Sequence, residues 1–201
     1  MILGSIVLAG GGSSRMGTSK AGLAWGDRTL LLHTVEVLLD FTYPVAVVSR
    51  DQEQELPPLH TECDLIFDRE PGGGPLQAIE TGMAYVFSRC DAVLVASCDL
   101  PFLDGKAVEW LSDQLGDHTG VVPVVDGQPQ PLCGIYSERA LPKIRELVQG
   151  GERRAQALAE LPGIQLLSEE ACRAFDPELR FLRDIDTPEE YEQARRDAGQ
   201  A

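Results

Sequence analysis

The residues of this chain best placed to do chemistry are Arg15 and Lys20. They sit in the stretch Leu8-Ala-Gly-Gly-Gly-Ser-Ser-Arg-Met-Gly-Thr-Ser-Lys20, directly after the apolar run Ile2–Leu8. An apolar run that ends in glycines reads as a strand leading into a loop where the backbone must approach a ligand. Exposed N–H groups together with two cations make such a loop a polyphosphate cradle. Two other glycine loops are excluded. A Walker A loop requires Gly-Lys-Ser/Thr, which does not occur here. The dinucleotide fingerprint requires glycines at its first, third and sixth positions; counted from Gly10, the third is Gly12 but the sixth is Arg15.

A second candidate is Asp99, in Ser97-Cys-Asp-Leu-Pro101, which follows the near-continuous apolar run Ala92–Ser97. Such a run is expected of a central strand buried on both faces. A carboxylate at its tip can hold Mg²⁺, with water and substrate phosphates as the other ligands. Asp68 stands in the same relation to the run Leu65–Phe67, and is followed by the glycine-rich turn Gly72-Gly-Gly74 that opens a helix from Leu76. In Asp184-Ile-Asp-Thr-Pro-Glu-Glu190, residues Thr187, Pro188 and Glu190 form a capping box. Asp184 and Asp186 are not needed by that cap and remain candidate metal ligands. His33, His60 and His118 show no metal-ligand or triad spacing. Cys133 reads as a small packing residue.

The elements that must position these groups alternate short apolar runs with longer helical patterns, the mark of an α/β layered fold. Strands are predicted at Ile2–Leu8, Pro44–Val48, Asp64–Phe67, Ala92–Ala96, Gly120–Val125 and Gln130–Tyr136. Helices are predicted at Leu30–Leu39, Leu76–Ser88, Lys106–Leu115, Ala140–Val148, Arg154–Leu161 and Pro188–Asp197. The polar, proline-bearing stretch Gln52–Pro58 reads as a surface loop. At 201 residues the chain is expected to form one domain over residues 1–201.

A net charge of −15 disfavours nucleic acid and anionic membranes as partners, since both select basic patches. Positive charge for a phosphate ligand must then be local, as Arg15 and Lys20 would supply. Five cysteines without a Cys-x-x-Cys pair make a poor disulfide framework and a poor zinc site. Reduced thiols and the lack of a readable targeting signal lead to the expectation of a cytoplasmic protein.

Taken in order along nearly the whole chain, these motifs resemble the molybdenum cofactor guanylyltransferases, within the wider nucleotidyltransferase group. The resemblance is carried by Leu8-Ala-Gly-Gly-x-Ser-x-Arg-Met-Gly with Lys20, by Gly74-Pro-Leu76, by Cys98-Asp-x-Pro101, by Gln130-Pro-Leu-Cys-Gly134 and by Gly151-Glu-Arg-Arg154. It implies a Rossmann-like three-layer fold, a mostly parallel mixed sheet with helices on both faces. It also implies GTP bound by Leu8, Ala9, Gly10, Gly11, Gly12 and Ser13, with Arg15 and Lys20 on the phosphates. Further nucleotide contacts are implied at Asp68, Gly74, Pro75 and Leu76, and Mg²⁺ at Asp99. Near Ser49 relatives often carry an Asn implicated in guanine binding, and at Asp184 and Asp186 they typically carry Asn.

The activity implied is transfer of GMP from GTP to the terminal phosphate of molybdopterin, with Arg15, Lys20 and Asp99 as the catalytic set. Molybdoenzyme-maturation proteins are further implied partners. Cytidylyl transfer and a non-catalytic nucleotide-binding or cofactor-delivery module are the alternatives.

Overall fold

The computed structural model describes residues 1–10, 19–70 and 72–200. The expectations placed on Gly11, Gly12, Ser13 and Arg15 lie outside the described residues. The apolar run at the N-terminus forms β1 (Leu3–Leu8), and its alternation decides what covers each side of the sheet. Ile6 and Leu8 face one layer of helices while Val7 faces the other, and all three are buried.

Ten strands are present among the described residues. After β1 come a small antiparallel hairpin of β2 (Ala24–Trp25) and β3 (Arg28–Thr29), then β4 (Val45–Ser49), β5 (Cys63–Phe67) and β6 (Ala92–Ser97). The later strands are β7 (Gly120–Val125), β8 (Gln128–Pro129), β9 (Cys133–Ser137) and β10 (Ile164–Leu167). The main sheet runs β10-β7-β9-β6-β1-β4-β5, with β8 added to β7. Pairs β1–β4, β1–β6, β4–β5 and β7–β10 are parallel, whereas β9 is antiparallel to both β6 and β7. The sheet is therefore mixed, as the resemblance implies.

Helices α1 (Leu30–Leu39), α3 (Gly105–Leu115) and α5 (Glu169–Phe175) pack on the face that carries Val7. On the opposite face α2 (Pro75–Val86) and α4 (Ala140–Gln149) cover Ile6 and Leu8. The last helix, α6 (Pro188–Asp197), packs Ala194 into a separate cluster with Trp25, Leu30 and Ile185.

Local signals account for most boundaries. Thr29 caps α1 by accepting from the Leu32 N–H, and Thr187 with Glu190 forms the expected capping box on α6. Two expectations are corrected. Arg154–Leu161 is not an α-helix but a 3₁₀ run over Ala155–Glu160, too short to propagate an α-helix. The strand predicted from Gln130 begins only at Cys133, with Pro131, which offers no N–H to a ladder, inside the part that is lost. Among the described residues no helix is long and apolar enough to cross a membrane.

The chain passes from β1 outward through β4 and β5, then returns to the other side of β1 as β6. This reversal puts a crevice at the carboxyl ends of β1, β4 and β6, the usual ligand position in open α/β sheets. The register levels Leu8 with Val48 and Ser97 at that edge. Antiparallel β9 starts there too, Cys133 opposite Ala96, so the Gln130–Leu132 turn arrives at the same edge.

Candidate functional site

Two cavities open at this edge and share one wall. The first, about 420 Å³, lies between the ends of β1 and β4 (Leu8, Gly10, Ser49, Arg50), Asp68, and the Gly74–Pro75 start of α2. The second, about 240 Å³, lies between the Gln130–Cys133 turn, Gln156, Leu182, Asp184 and Asp186. Ser97, Asp99 and Leu132 line both. Leu8, Gly10, Ser49, Asp68, Gly74, Pro75 and Asp99 thus stand around one cavity, and Asp99, Asp184 and Asp186 around the other. Leu76 is fully buried in the core beneath α2, and Ala9 is buried with its N–H donating to the Val48 carbonyl at 3.0 Å.

The shared wall carries a charged cluster. Lys20 Nζ donates to Asp99 Oδ2 and to Asp186 Oδ1, each at 2.6 Å. The Ser97 hydroxyl donates to Asp99 Oδ1. The side chains of Lys20 and Asp99 are only 17% and 13% exposed, so these contacts are weakly screened by water. Burial opposes the charge on Lys20, but the bonds to Asp186 and Asp99 outweigh it and raise its pKa. Asp184 has its pKa raised by burial first and then by the nearby charges of Asp99 and Asp186. Among the described residues, three carboxylates and one ammonium meet at this wall.

Asp68 is set by the backbone: its N–H donates to the Ser49 carbonyl at 2.8 Å, which extends the β4–β5 pairing by one bond. Its carboxylate accepts from the Glu70 N–H at 3.3 Å and the Thr81 hydroxyl at 3.4 Å, and burial raises its pKa. The turn that follows needs its glycine. Gly74 caps α2 at φ 84°, and a Cβ there would lie 2.8 Å from the Arg153 Cβ and carbonyl oxygen. The Leu76 N–H donates to that same carbonyl at 3.1 Å, so the Gly151–Arg154 segment buttresses the start of α2. Glu152 stiffens the segment by accepting from the Arg153 and Arg154 N–H groups, and those bonds with the Arg154 guanidinium hold its carboxyl down at about 2.

Several lining residues carry no sequence signal of their own. Ser97 was visible only as the last residue of an apolar run, and Arg50, Gln156 and Leu182 sit in polar or irregular stretches. Leu132 and Gln130 belong to a motif that the resemblance singled out without a role. Ser49 is 1% exposed, and its hydroxyl donates to the Asp51 carbonyl at 2.9 Å and to Gln54 Oε1 at 3.1 Å. Among the described residues no histidine lines either cavity. Cys133, at the second cavity, is buried and its thiol is pushed up to about 12 by desolvation, which removes it as a nucleophile.

Asp99 suits Mg²⁺ as a single protein anchor, since this ion keeps most of its shell for water and phosphate oxygens. Among the described residues no three carboxylate, imidazole or thiol groups converge into a closed metal cage. Asp184 is close enough to Asp99 and Asp186 for their charges to act on it, and Asp184 and Asp186 carry the other carboxylates of the wall.

Comparison with known proteins identifies the family and the fold. The MobA-like NTP transferase domain matches residues 5–166. A probable molybdenum cofactor guanylyltransferase of Bacillus mycoides is 31% identical over 195 residues, covering 96% of this chain and 95% of the relative. One of Bacillus cereus is likewise 31% identical over 198 residues, with the same coverage. Among solved structures, molybdopterin-guanine dinucleotide biosynthesis protein A from Archaeoglobus fulgidus superposes with a TM-score of 0.80 at 24% identity, covering 98% of this chain and 99% of that one. The 2-C-methyl-D-erythritol 4-phosphate cytidylyltransferase of Thermus thermophilus shares the fold with a TM-score of 0.69 at 18% identity, covering 96% and 98%.

Proposed function

Since this chain belongs to the MobA-like NTP transferase family and is thereby a nucleotidyltransferase, we propose that it transfers GMP from GTP to the terminal phosphate of molybdopterin. The names of its relatives motivate the two substrates. The observation that carries the reading is the pair of cavities divided by Asp99, with room for a nucleotide on one side and a phosphate-bearing acceptor on the other.

In this reading GTP occupies the larger cavity, its base toward Ser49, Arg50 and Asp68 and its phosphates toward Gly10, Lys20 and the glycine loop. The start of α2 presents its positive dipole end to the same cavity. The acceptor phosphate enters from the smaller cavity. An acceptor oxygen attacks the α-phosphorus, a new P–O bond forms, and the bond from the α-phosphorus to the bridging oxygen breaks to release pyrophosphate. The acceptor arrives already ionised, so no general base is required, which fits cavities without a histidine. Catalysis then rests on in-line positioning and on charge stabilisation. Lys20 would exchange its carboxylate partners for phosphate oxygens, and Arg15 would serve the departing pyrophosphate. Mg²⁺, held by Asp99 with Asp186 or Asp184 in reserve, would supply Lewis-acid stabilisation of the phosphates. Asp184 and Asp186 line the acceptor side, where the Lys20 ammonium that holds Asp186 offsets part of their repulsion of an incoming phosphate.

The decisive experiment incubates the protein with Mg²⁺, molybdopterin and either GTP or CTP, and weighs the products. A guanine dinucleotide is the expected product. A cytosine dinucleotide in its place would overturn the choice of base. No dinucleotide with either would overturn the transfer itself and favour a binding or delivery module.

A further inference from the structure

Pairing between β1 and β4 does not end by fraying. The Ala9 N–H still donates to the Val48 carbonyl at 3.0 Å, as the parallel ladder requires. The next rung of that ladder would run from the Arg50 N–H to the Ala9 carbonyl. That rung is replaced by a side chain. The Arg50 N–H donates to Gln54 Oε1 at 2.8 Å, and Gln54 Nε2 donates to the Ala9 carbonyl at 2.6 Å. One carboxamide is inserted between the two backbones in the donor-to-acceptor sense of the missing bond. The Ser49 hydroxyl, its proton shared with the Asp51 carbonyl, adds a second bond to Gln54 Oε1 at 3.1 Å.

The insertion sits at the carboxyl ends of β1 and β4. Gly10 follows immediately, and a Cβ on it would lie 3.1 Å from the Arg50 nitrogen, so the two strand tails are in close contact at this point. Gly10, Ser49 and Arg50 all line the larger cavity. The loop from Arg50 to Gln54 is itself ordered by Asp51, whose carboxylate accepts from the Glu53 N–H at 2.9 Å and from Arg50 Nε at 2.8 Å. That turn folds the Gln54 side chain back onto the strand ends.

We infer that Gln54 is a positioning residue for nucleotide binding: its carboxamide stands in for the last β1–β4 rung, ends the pairing at Ala9 and fixes the spacing of the strand tails, Ala9–Gly10 and Ser49–Arg50, that frame the larger cavity. The inference rests on the proposed use of the larger cavity for the nucleotide, and it is independent of which base is bound. Without the carboxamide, the buried Ala9 carbonyl and the Arg50 N–H must pair directly or find water. Either rearrangement moves the strand tails that frame the cavity.

The test uses Gln54→Leu, which removes both polar ends at similar size, and Gln54→Glu. The second keeps the acceptor for Arg50 and Ser49 but sets a carboxylate oxygen against the Ala9 carbonyl. GTP and CTP are titrated calorimetrically into wild type and both variants, with thermal unfolding in parallel. Both variants are expected to bind the preferred nucleotide about tenfold more weakly, the loss typical of breaking a partly buried hydrogen-bonded bridge. KM for that nucleotide should rise with kcat changed less than about twofold, because the chemistry is untouched once substrate is bound.

The Gln54→Glu variant adds a readout that loss of packing does not move. As pH falls toward the ordinary glutamate value of about 4.3 its carboxyl protonates and regains a donor for Ala9, so its loss of nucleotide affinity relative to wild type at the same pH should shrink, while that of Gln54→Leu stays constant. Binding within about twofold of wild type in both folded variants overturns the inference. So does unfolding of both, which would make Gln54 a residue of the fold alone. A wild type that takes CTP and not GTP overturns the guanine reading only, and the Gln54 effect is then read on CTP. A wild type that binds neither nucleotide overturns both.

Discussion

Asp99→Asn separates the catalytic from the structural role of the shared wall. The substitution preserves shape and keeps an oxygen for the Ser97 hydroxyl, but it removes the charge paired with Lys20 at 2.6 Å. Breaking a fully buried ion pair costs about 3–5 kcal/mol because the surviving charge is left alone. Lys20 is not left alone, since it retains Asp186, whose side chain is 44% exposed. The substitution also relieves repulsion on Asp184, whose pKa is raised in part by Asp99. Those two offsets bring the net cost to about 1 kcal/mol, a fall in Tm of about 2–4 °C for a chain of this size. Such a loss from a typical stability of about 5–15 kcal/mol leaves the protein essentially all folded. Activity should respond very differently. Removing a preorganised charge-stabilising group costs about 10²–10³ in kcat, and loss of the metal anchor adds to that. Pyrophosphate release with GTP and molybdopterin gives kcat, and calorimetric unfolding gives Tm on the same preparation. A folded Asp99→Asn or Asp99→Ala protein that releases pyrophosphate within about tenfold of the wild-type rate would falsify the catalytic assignment.

Three further outcomes follow from the same geometry. Gly74→Ala meets a positive φ and an occupied space beside Arg153, so it should lower stability by about 2–3 kcal/mol and weaken nucleotide binding; an unchanged urea midpoint contradicts the close approach. His33 is held below its ordinary value of 6.5 by burial and then by the Arg28 charge, so it stays neutral to lower pH in the folded state than in the unfolded one. Its unfolded form takes up a proton first as pH falls, so the stability it permits is complete above 6.5 and is lost below it; His33→Gln should flatten the urea midpoint between about pH 7 and pH 5.5. Asp184 carries a raised pKa, so its ionised form costs stability at neutral pH and the cost vanishes below its ordinary value of 3.8. Asp184→Asn should therefore raise Tm at pH 7 in metal-free buffer, and a lowered Tm there would count against the crowding of carboxylates.

The parts of this fold that were legible in the sequence are those set by neighbours in the chain. The apolar runs at Leu3–Leu8 and Ala92–Ser97 mark central strands because burial on both faces demands continuous apolar residues. Leu30–Leu39 and Pro188–Asp197 are bounded by caps that act within four residues. By contrast, β10 is four residues and α5 seven, too brief for a period to emerge; Ser168 caps α5, yet Cys172 is its one buried residue, with Phe175 packed half-buried at its end. The hairpin β2–β3 and the edge strand β8 are each built from two-residue strands, which no alternation can announce.

The site was legible as a set of residue types and illegible as a set of partners. Lys20 meets Asp99 and Asp186 across 79 and 166 positions of chain, and Gln54 meets Ala9 across 45. Gln52–Pro58 is polar and carries prolines, so its composition says surface loop, which holds for most of it and hides the one carboxamide that completes the sheet.

The segment Asp184–Glu190 shows why composition alone divides structure from function in the wrong place. Its capping box reads as structural and its two leftover acids as candidates for a site, but the structure makes them one device. Glu190 Oε2 accepts from the N–H groups of both Thr187 and Asp186 at 2.8 Å, so the cap reaches one residue beyond its usual limit. Ile185 is fully buried against Trp25 and Leu30, and its N–H donates to the Asp99 carbonyl at 3.2 Å. With that side chain anchored inward, Asp184 and Asp186 both line the smaller cavity. The bond to Glu190 fixes the backbone of Asp186, and with it the carboxylate that holds Lys20. The helix cap therefore positions a charge in the site, and loss of Glu190 should reach Lys20 as well as α6.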